Sequence, residues 1–262
     1  MQMKSQIILH TDTISTDSVL KAFDQLPSFS LYKDNFFIFG PAIGPKITQQ
    51  NTNVKFQISV GVKVTKTTLP FNTYLYFFYN QKVIWNVLEN SLPMHELNFN
   101  PGVGIAKPIF SKGRYLGKVT LQLEHESNGR DSINSRSWNR VTFGGDLMLT
   151  NNWIIHAKFW IPVIDGEHNR DILRYAGIGQ IGSEYRSNNN RWRISVTAVK
   201  RGTWHPDFNT IVDASWQFSR KTDWCLFMQY YNGYAENLLD YKDFNSQFRI
   251  GVAIRPKYFN YY

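Results

Sequence analysis

The stretch HESNGRDSINSRSWNR, His125 to Arg140, holds a histidine, a nearby serine and, further on, an asparagine: His125, Ser127 and Asn139. A serine hydroxyl is a weak nucleophile until a neighbouring base takes its proton. Imidazole is the usual base, and a third polar group fixes its tautomer and orientation. Asn139 can serve as that third group by accepting from the ring N–H, with less help to an imidazolium than a carboxylate gives. The chemistry such a set would suit is attack on an ester. By composition alone the same segment reads as a Ser/Asn/Gly hairpin loop. A His-x-Ser pair is a weak signal by its spacing alone.

The flanking segments decide where these side chains point. Before the stretch, Val119, Leu121 and Leu123 alternate with Thr120, Gln122 and Glu124. After it, Val141, Phe143, Leu147 and Leu149 share the parity of Asn139. Period-two alternation reads as strand, with successive side chains on opposite faces. The parity therefore places His125, Ser127 and Asn139 on the apolar face of a sheet, where polar groups cost stability and ask for a reason.

The same alternation recurs through the chain. Val54, Phe56, Ile58, Val60, Val62 and Val64 oppose Lys55, Gln57, Ser59, Gly61 and Lys63. A run of that length matches one tilted membrane-spanning strand. Lysines on its inner face suit a polar barrel interior better than a packed core. Similar runs occupy Trp153 to Ile161, Trp192 to Ala198 and Gln247 to Arg255. Turn signals fall between runs, as in Thr150-Asn-Asn152 and Asn188-Asn-Asn190. Strands are expected at 33–43, 53–64, 71–81, 94–106, 113–127, 137–150, 152–163, 172–185, 190–200, 208–219, 222–234 and 245–257. The fold class is all-β, a 12-stranded antiparallel transmembrane β-barrel, and the even count is what a single-chain bacterial barrel requires. Residues 1–30 read as an irregular arm with a short helix around Ser18 to Leu26, and residues 31–262 as the barrel. With both termini on the periplasmic side, the 82–93 and 128–136 connections share the outer rim. The terminal FNYY suits a closing strand at a membrane interface. The competing architecture is a soluble β-sandwich, against which stands the polar lining of one face of nearly every strand.

Composition agrees. The 262 residues carry a net charge of +9 and 16% aromatics, with 14 Tyr and 8 Trp but only 19% charged residues. That balance fits a barrel with aromatic girdles. No basic run or groove-reading helix accompanies the positive charge, so no nucleic acid partner is expected. The lone Cys225 excludes an intrachain disulfide framework and a CxxC metal site. No apolar stretch approaches the length of a transmembrane helix. MQMKSQIILHTDT lacks a clear signal-peptide pattern, so an exported chain is expected here in its mature form.

The full stretch resembles the active-site segment of the outer-membrane phospholipase A family, the calcium-dependent barrel phospholipases of Gram-negative bacteria. That family's pattern is His-x-Ser-Asn-Gly-Arg, four further residues, then Ser-Arg-Ser-Trp-Asn-Arg, and every fixed position is present without a gap. YNGYAENLLDY at 231–241, the final alternating strand and PSFSLYKDNFFIFG at 27–40 are also similar to the family. The likeness runs from about Pro27 onward and is weak in the middle strands.

The resemblance implies a serine carboxylic-ester hydrolase of phospholipase A1/A2 and lysophospholipase type. Ser127 would be nucleophile, His125 base, Asn139 the orienting residue and Gly129 an oxyanion donor. Ca2+ would sit against the Arg130 carbonyl and Ser135, a hard cation on oxygen ligands. The family is active as a homodimer in which the partner subunit supplies a further calcium ligand, and here the candidate is Ser91, in a looser match because the preceding loop is shorter. The implied dimer face falls on Phe56, Ile58, Val60 and Gln81, otherwise a lipid-facing stripe with a glutamine. A second, acidic calcium site of the family falls on His168, where Asp165, Glu167 or Asp171 would have to substitute. His10, His95, His156 and His205 show no ligand spacing, and His156, Lys63, Lys158, Arg193 and Arg249 read as interior network residues.

The expected protein is thus a membrane-embedded, multi-pass enzyme of the Gram-negative outer membrane. Its site would lie at the outer leaflet, acting on phospholipids and lysophospholipids. Two rivals remain open: a passive outer-membrane channel, with an open lumen and no need of Ser127, and a structural or adhesion barrel without activity.

Overall fold

Residues that alternate along the sequence alternate outward and inward in space, and this rule closes the sheet on itself. The computed structural model describes residues 20–21, 24–25, 27–65, 67–111, 114–163, 167–219 and 222–255. A two-residue strand, β1 (Phe29–Ser30), precedes β2 (Asn35–Pro41), β3 (Thr52–Lys63), β4 (Tyr74–Trp85), β5 (Met94–Ser111), β6 (Arg114–Ser127) and β7 (Ser137–Met148). Then come β8 (Trp153–Val163), a short helix α1 (Leu173–Ala176), β9 (Gly179–Arg186), β10 (Trp192–Lys200), β11 (Phe208–Gln217), β12 (Trp224–Gly233) and β13 (Asn245–Ile254). From β2 onward each strand pairs antiparallel with the next, and β13 pairs back onto β2 from Ile250↔Phe39 to Ile254↔Asn35. The result is a closed 12-stranded antiparallel transmembrane barrel, with β1 added against Gly61 and Val62 of β3. Among the described residues no helix is long and apolar enough to cross a membrane, so the strands are the crossing elements.

The outer wall carries the apolar parity. Ile58, Val62, Phe77, Leu121, Leu123, Phe143, Phe159, Ile161 and Ile194 are all exposed. A barrel in lipid tolerates this face because the acyl chains are as apolar as it is. The inner wall carries the other parity, and its charges pair with one another. Lys55 Nζ donates to Gln229 Oε1 at 2.7 Å and to Glu236 Oε1 at 3.0 Å. Arg249 Nη1 donates to Glu236 at 2.6 Å, and Arg255 Nε donates to Asp34 at 2.7 Å. His156 meets Thr197 Oγ1 at 3.2 Å, an interior contact as its parity implies. Buried charges are tolerated when paired in this way. Towards the end with short turns, Tyr32, Tyr74, Tyr76, Phe78, Ala106 and Tyr115 fill the interior. Gly102 makes room for them, since a Cβ there would lie 2.1 Å from Phe78 Cζ.

The connecting residues 42–51, 86–93, 128–136, 167–178, 201–207 and 234–244 gather at the opposite end, where β6 delivers Ser127. There Trp138, Ile172, Leu238 and Tyr241 form a buried cluster with Leu173, Tyr175 and Ala176 packed against it. Three differences from the sequence expectation stand out, the first being that the strand expected at 94–106 runs on to Ser111. The expected strand 172–185 begins only at Gly179, because Leu173 and Tyr175 turn as α1 to bury against that cluster. The expected strand 71–81 begins at Tyr74 and runs to Trp85, because Pro70–Asn72 is a 3-10 turn with Phe71 at φ 64°. The expected N-terminal helix, the chain's last residues and Asp165 lie wholly or mostly outside the described residues.

Candidate active site

Strand β6 ends at the outer-facing rim with His125 and Ser127 on the same face as exposed Leu121 and Leu123. On the other side of β6, Lys118, Gln122 and Glu124 are buried inward. Strand β7 returns beside it in the register Leu123↔Val141, His125↔Asn139 and Ser127↔Ser137. The directly opposed pair brings His125 Nδ1 to 2.8 Å from Asn139 Oδ1. An amide oxygen only accepts, so Nδ1 carries the ring proton and Nε2 holds the lone pair. His125 and Asn139 are half-buried, as is Ser127. The structure joins His125 to Asn139 and sets Ser127 on their face, while Ser127 Oγ makes no hydrogen bond among the described residues.

Behind the site the inner wall is braced. Asn100 Nδ2 donates to the His125 carbonyl at 2.9 Å. Arg140 bridges Glu124 at 3.0 Å and Glu126 at 2.8 Å, and its guanidinium stacks 4.5 Å over the Trp138 ring. The Asn100 bond ties β5 to β6, and the Arg140 bridges tie β6 to β7 where the register sets the histidine against the asparagine.

The 128–136 loop is organised around Asn128, which is 3% exposed. Its backbone N–H donates to the Arg136 carbonyl at 3.1 Å, its Nδ2 to the Asn134 carbonyl at 2.9 Å, and its Oδ1 accepts from the Arg136 N–H at 3.0 Å. Gly129 follows at φ 64°, a conformation that favours glycine, and its backbone N–H makes no hydrogen bond among the described residues. A Cβ at Gly129 would meet Phe99 Cε2 at 3.0 Å. A short 3-10 turn, Ser132–Asn134, then leads to Ser135, whose N–H donates to the Ser132 carbonyl at 3.0 Å. Neither the Arg130 carbonyl nor the Ser135 hydroxyl takes part in a hydrogen bond among the described residues.

No group of three His, Cys, Asp or Glu gathers as a metal cluster among the described residues. Uncommitted carbonyl and hydroxyl oxygens are nevertheless what a hard cation such as calcium takes, so the donor set at Arg130 and Ser135 fits one. Ser91 lies exposed in the 86–93 turn at φ 66°. Glu167 and His168 are exposed, whereas Asp171 accepts from Tyr241 Oη and pairs with Lys242 Nζ at 2.9 Å.

Ile58, Gln81, Phe99 and Ser127 form one cross-strand row on the outer wall, since the register pairs Ile58↔Gln81, Gln81↔Phe99 and Phe99↔Ser127. Ile58 is 48% exposed, with Phe56 and Val60 half-buried on the same strand face. Gln81 Oε1 accepts from Tyr79 Oη at 3.1 Å. Sequence spacing missed Asn100, Asn128, Phe99 and Glu96 as supports of the site. Asn100, Phe99 and Glu96 act through partners that only the β5–β6 register brings near, and Asn128 through the local fold of its own loop.

A family model described as Phospholipase A1 matches residues 20–254. Phospholipase A1 of Escherichia coli strain K12 is 32% identical over 207 residues, which cover 77% of this chain and 68% of that protein. The Klebsiella pneumoniae phospholipase A1 is 30% identical over 207 residues, covering 77% and 69%. Among solved structures, outer membrane phospholipase A from Escherichia coli matches with a TM-score of 0.78 at 24% identity, over 91% of this chain and 97% of that one. A Salmonella typhi outer membrane phospholipase dimer with bound calcium matches with a TM-score of 0.77 at 24% identity, over 90% and 97%. The structural likeness establishes the barrel fold.

Proposed function

The chain belongs to the phospholipase A1 family, and from that premise we propose that it is a calcium-dependent outer-membrane phospholipase A working through Ser127, His125 and Asn139. It cleaves acyl esters of phospholipids and lysophospholipids at the outer leaflet and is active as a homodimer. The observation that carries this reading is the His125–Asn139 hydrogen bond at 2.8 Å, on the outward face and beside Ser127. A pair placed there meets a substrate supplied by the bilayer.

Ser127 Oγ attacks the acyl carbonyl carbon as its proton passes to His125 Nε2. Asn139 holds the ring so that Nε2 faces the reaction. The uncommitted Gly129 N–H donates to the oxyanion that forms. As the tetrahedral centre collapses, the ester C–O bond breaks and His125 returns the proton to the departing alkoxide. Water then attacks the acyl-serine through the same base, which frees a fatty acid and restores Ser127. The Arg130 carbonyl and Ser135 hydroxyl would hold calcium, with Ser91 of the partner subunit, and the cation would supply charge opposite the developing oxyanion. A calcium-bound dimer among the structurally similar proteins supports this part of the reading. The half-exposed stripe Phe56, Ile58, Val60 and Gln81 would be the dimer face. Its row reaches Ser127 through Phe99 alone, so a partner seated there would wall the site.

Labelling with an alkylsulfonyl fluoride tests the nucleophile directly. Mass spectrometry should find the sulfonyl group on Ser127, with labelling abolished in His125→Ala. A reagent that goes elsewhere, or labels both proteins alike, contradicts the assignment.

A further inference from the structure

A backbone carbonyl is available at any residue, so the proposed calcium ligand at position 130 does not by itself require arginine. The structure gives the side chain a separate task. Arg130 Nε donates to Glu96 Oε2 at 3.2 Å, and Arg130 Nη2 donates to the His95 carbonyl. Glu96 is 1% exposed, and its other oxygen accepts from Asn98 Nδ2 at 2.7 Å and from the Leu239 N–H at 3.0 Å. Asn98 Oδ1 accepts in turn from the Leu238 N–H at 3.2 Å. One buried carboxylate therefore joins three elements: the start of β5, the 234–244 loop and the 128–136 loop.

We propose that Glu96 is a positioning residue for the metal site, a clamp that grips the Arg130 guanidinium and so fixes where the Arg130 carbonyl points. This rests on the calcium reading given above. The geometry suits the task. The guanidinium is engaged on two edges, by a carboxylate and by a carbonyl, and that fixes orientation as well as distance. The carboxylate is itself immobilised by a donor from its own strand, Asn98, and one from the 234–244 loop, Leu239. Asn128 holds the loop from the other side, accepting from the Arg130 N–H at 3.4 Å. A ligand supported on rigid neighbours binds a cation with less ordering cost than one on a free loop.

The inference separates the side chain of Arg130 from its carbonyl. Arg130→Ala keeps the carbonyl and removes the grip, and Glu96→Gln keeps the shape of the clamp and removes its charge. Calcium binding to the full chain is measured by titration calorimetry in detergent with a non-hydrolysable phospholipid analogue, with folding followed by heat-dependent electrophoretic mobility. Each variant should bind calcium about tenfold more weakly than wild type, the scale of one charged hydrogen bond. The double variant should bind no more weakly than either single one, because both remove the same contact. Tyr231→Phe, which loosens the start of the 234–244 loop at the Tyr234 carbonyl without touching Arg130 or a candidate calcium ligand, should bind as wild type does. If Glu96→Gln proves not to fold, Arg130→Ala with its part-exposed side chain carries the comparison. Wild-type calcium affinity in Arg130→Ala overturns the inference and leaves the calcium reading standing, and so does equal weakening by Tyr231→Phe. No calcium binding by wild type, with hydrolysis indifferent to chelator, overturns the calcium reading and this inference with it.

Discussion

Asn139 stands directly opposite His125 in the ladder between β6 and β7, and its side-chain oxygen lies 2.8 Å from the imidazole Nδ1. Direct opposition on a sheet is the shortest route between two side chains on neighbouring strands. It fixes the tautomer without a buried carboxylate, which would be costly on a wall that faces lipid.

Asn139→Ala should therefore leave the barrel folded and lower kcat by roughly 10²-fold, the scale of a misplaced general base, with KM little changed. Steady-state hydrolysis of a short-chain phosphatidylcholine in micelles measures both constants. A KM effect without a kcat effect would mean that Asn139 binds substrate rather than orienting the ring.

Gly129 combines φ 64° with a ring of Phe99 placed 3.0 Å from where a Cβ would stand. Gly129→Ala should cost about 1 kcal/mol of stability from the left-handed backbone, small enough for the protein to fold. Hydrolysis should fall by roughly 10²-fold, because the new Cβ against Phe99 swings the retained N–H away from the oxyanion. Urea unfolding in detergent beside initial rates separates the two effects. A rate loss no larger than the unfolded fraction would remove Gly129 from the oxyanion role.

The 234–244 loop is tied to the rim by Asp240, whose carboxyl is held below the usual carboxylate range first by the hydrogen bond from His95. A depressed folded value means the contribution is complete above the unfolded value of about 3.9 and is lost as pH falls through the lower folded one. Hydrogen exchange at 236–240 should stay slow from neutral pH down to about 4 and quicken below it. Asp240→Asn should flatten that dependence. Exchange that quickens already near neutral pH would assign the tie to another group.

Gln81 sits in the same cross-strand row as Ser127, one residue away through Phe99. If this face is the dimer contact, Gln81→Ala should weaken self-association roughly tenfold, the scale of one hydrogen bond, and lower calcium-dependent hydrolysis in proportion. Cross-linking in detergent with a substrate analogue reads the first, and rate against protein concentration reads the second. Unchanged cross-linking would move the dimer face elsewhere on the barrel.

The alternation that made the barrel legible is strongest where one side of a strand meets lipid and the other meets the polar interior. In β3, Lys55 and Lys63 are buried while Ile58 and Val62 are exposed, as their parity requires. The rule failed at Ile172 to Ala176, whose apolar residues imitate a strand but pack on Trp138, Leu238 and Tyr241 from other parts of the chain. The His125–Asn139 pairing was legible because a hairpin sets its own register. The link from Glu96 to Arg130 was not, because the two are 34 residues apart and Arg130 lies in the loop beyond β6, brought beside Glu96 by the β5–β6 pairing that ends at Phe99↔Ser127. The charged interior also bears on the passive-channel reading. Lys55, Arg249 and Glu236 are consumed in pairing with one another inside the barrel rather than left to line an open passage.

The central claim is that Ser127 cleaves phospholipid esters with calcium in place. The most direct measurement is fatty-acid release from detergent-dispersed phosphatidylcholine by wild type and by Ser127→Ala, each with excess calcium and with chelator. The account predicts release by wild type with calcium only, and none by the variant in either condition. Equal release by wild type and Ser127→Ala, or no release by a folded, dimeric wild type with calcium, would contradict it.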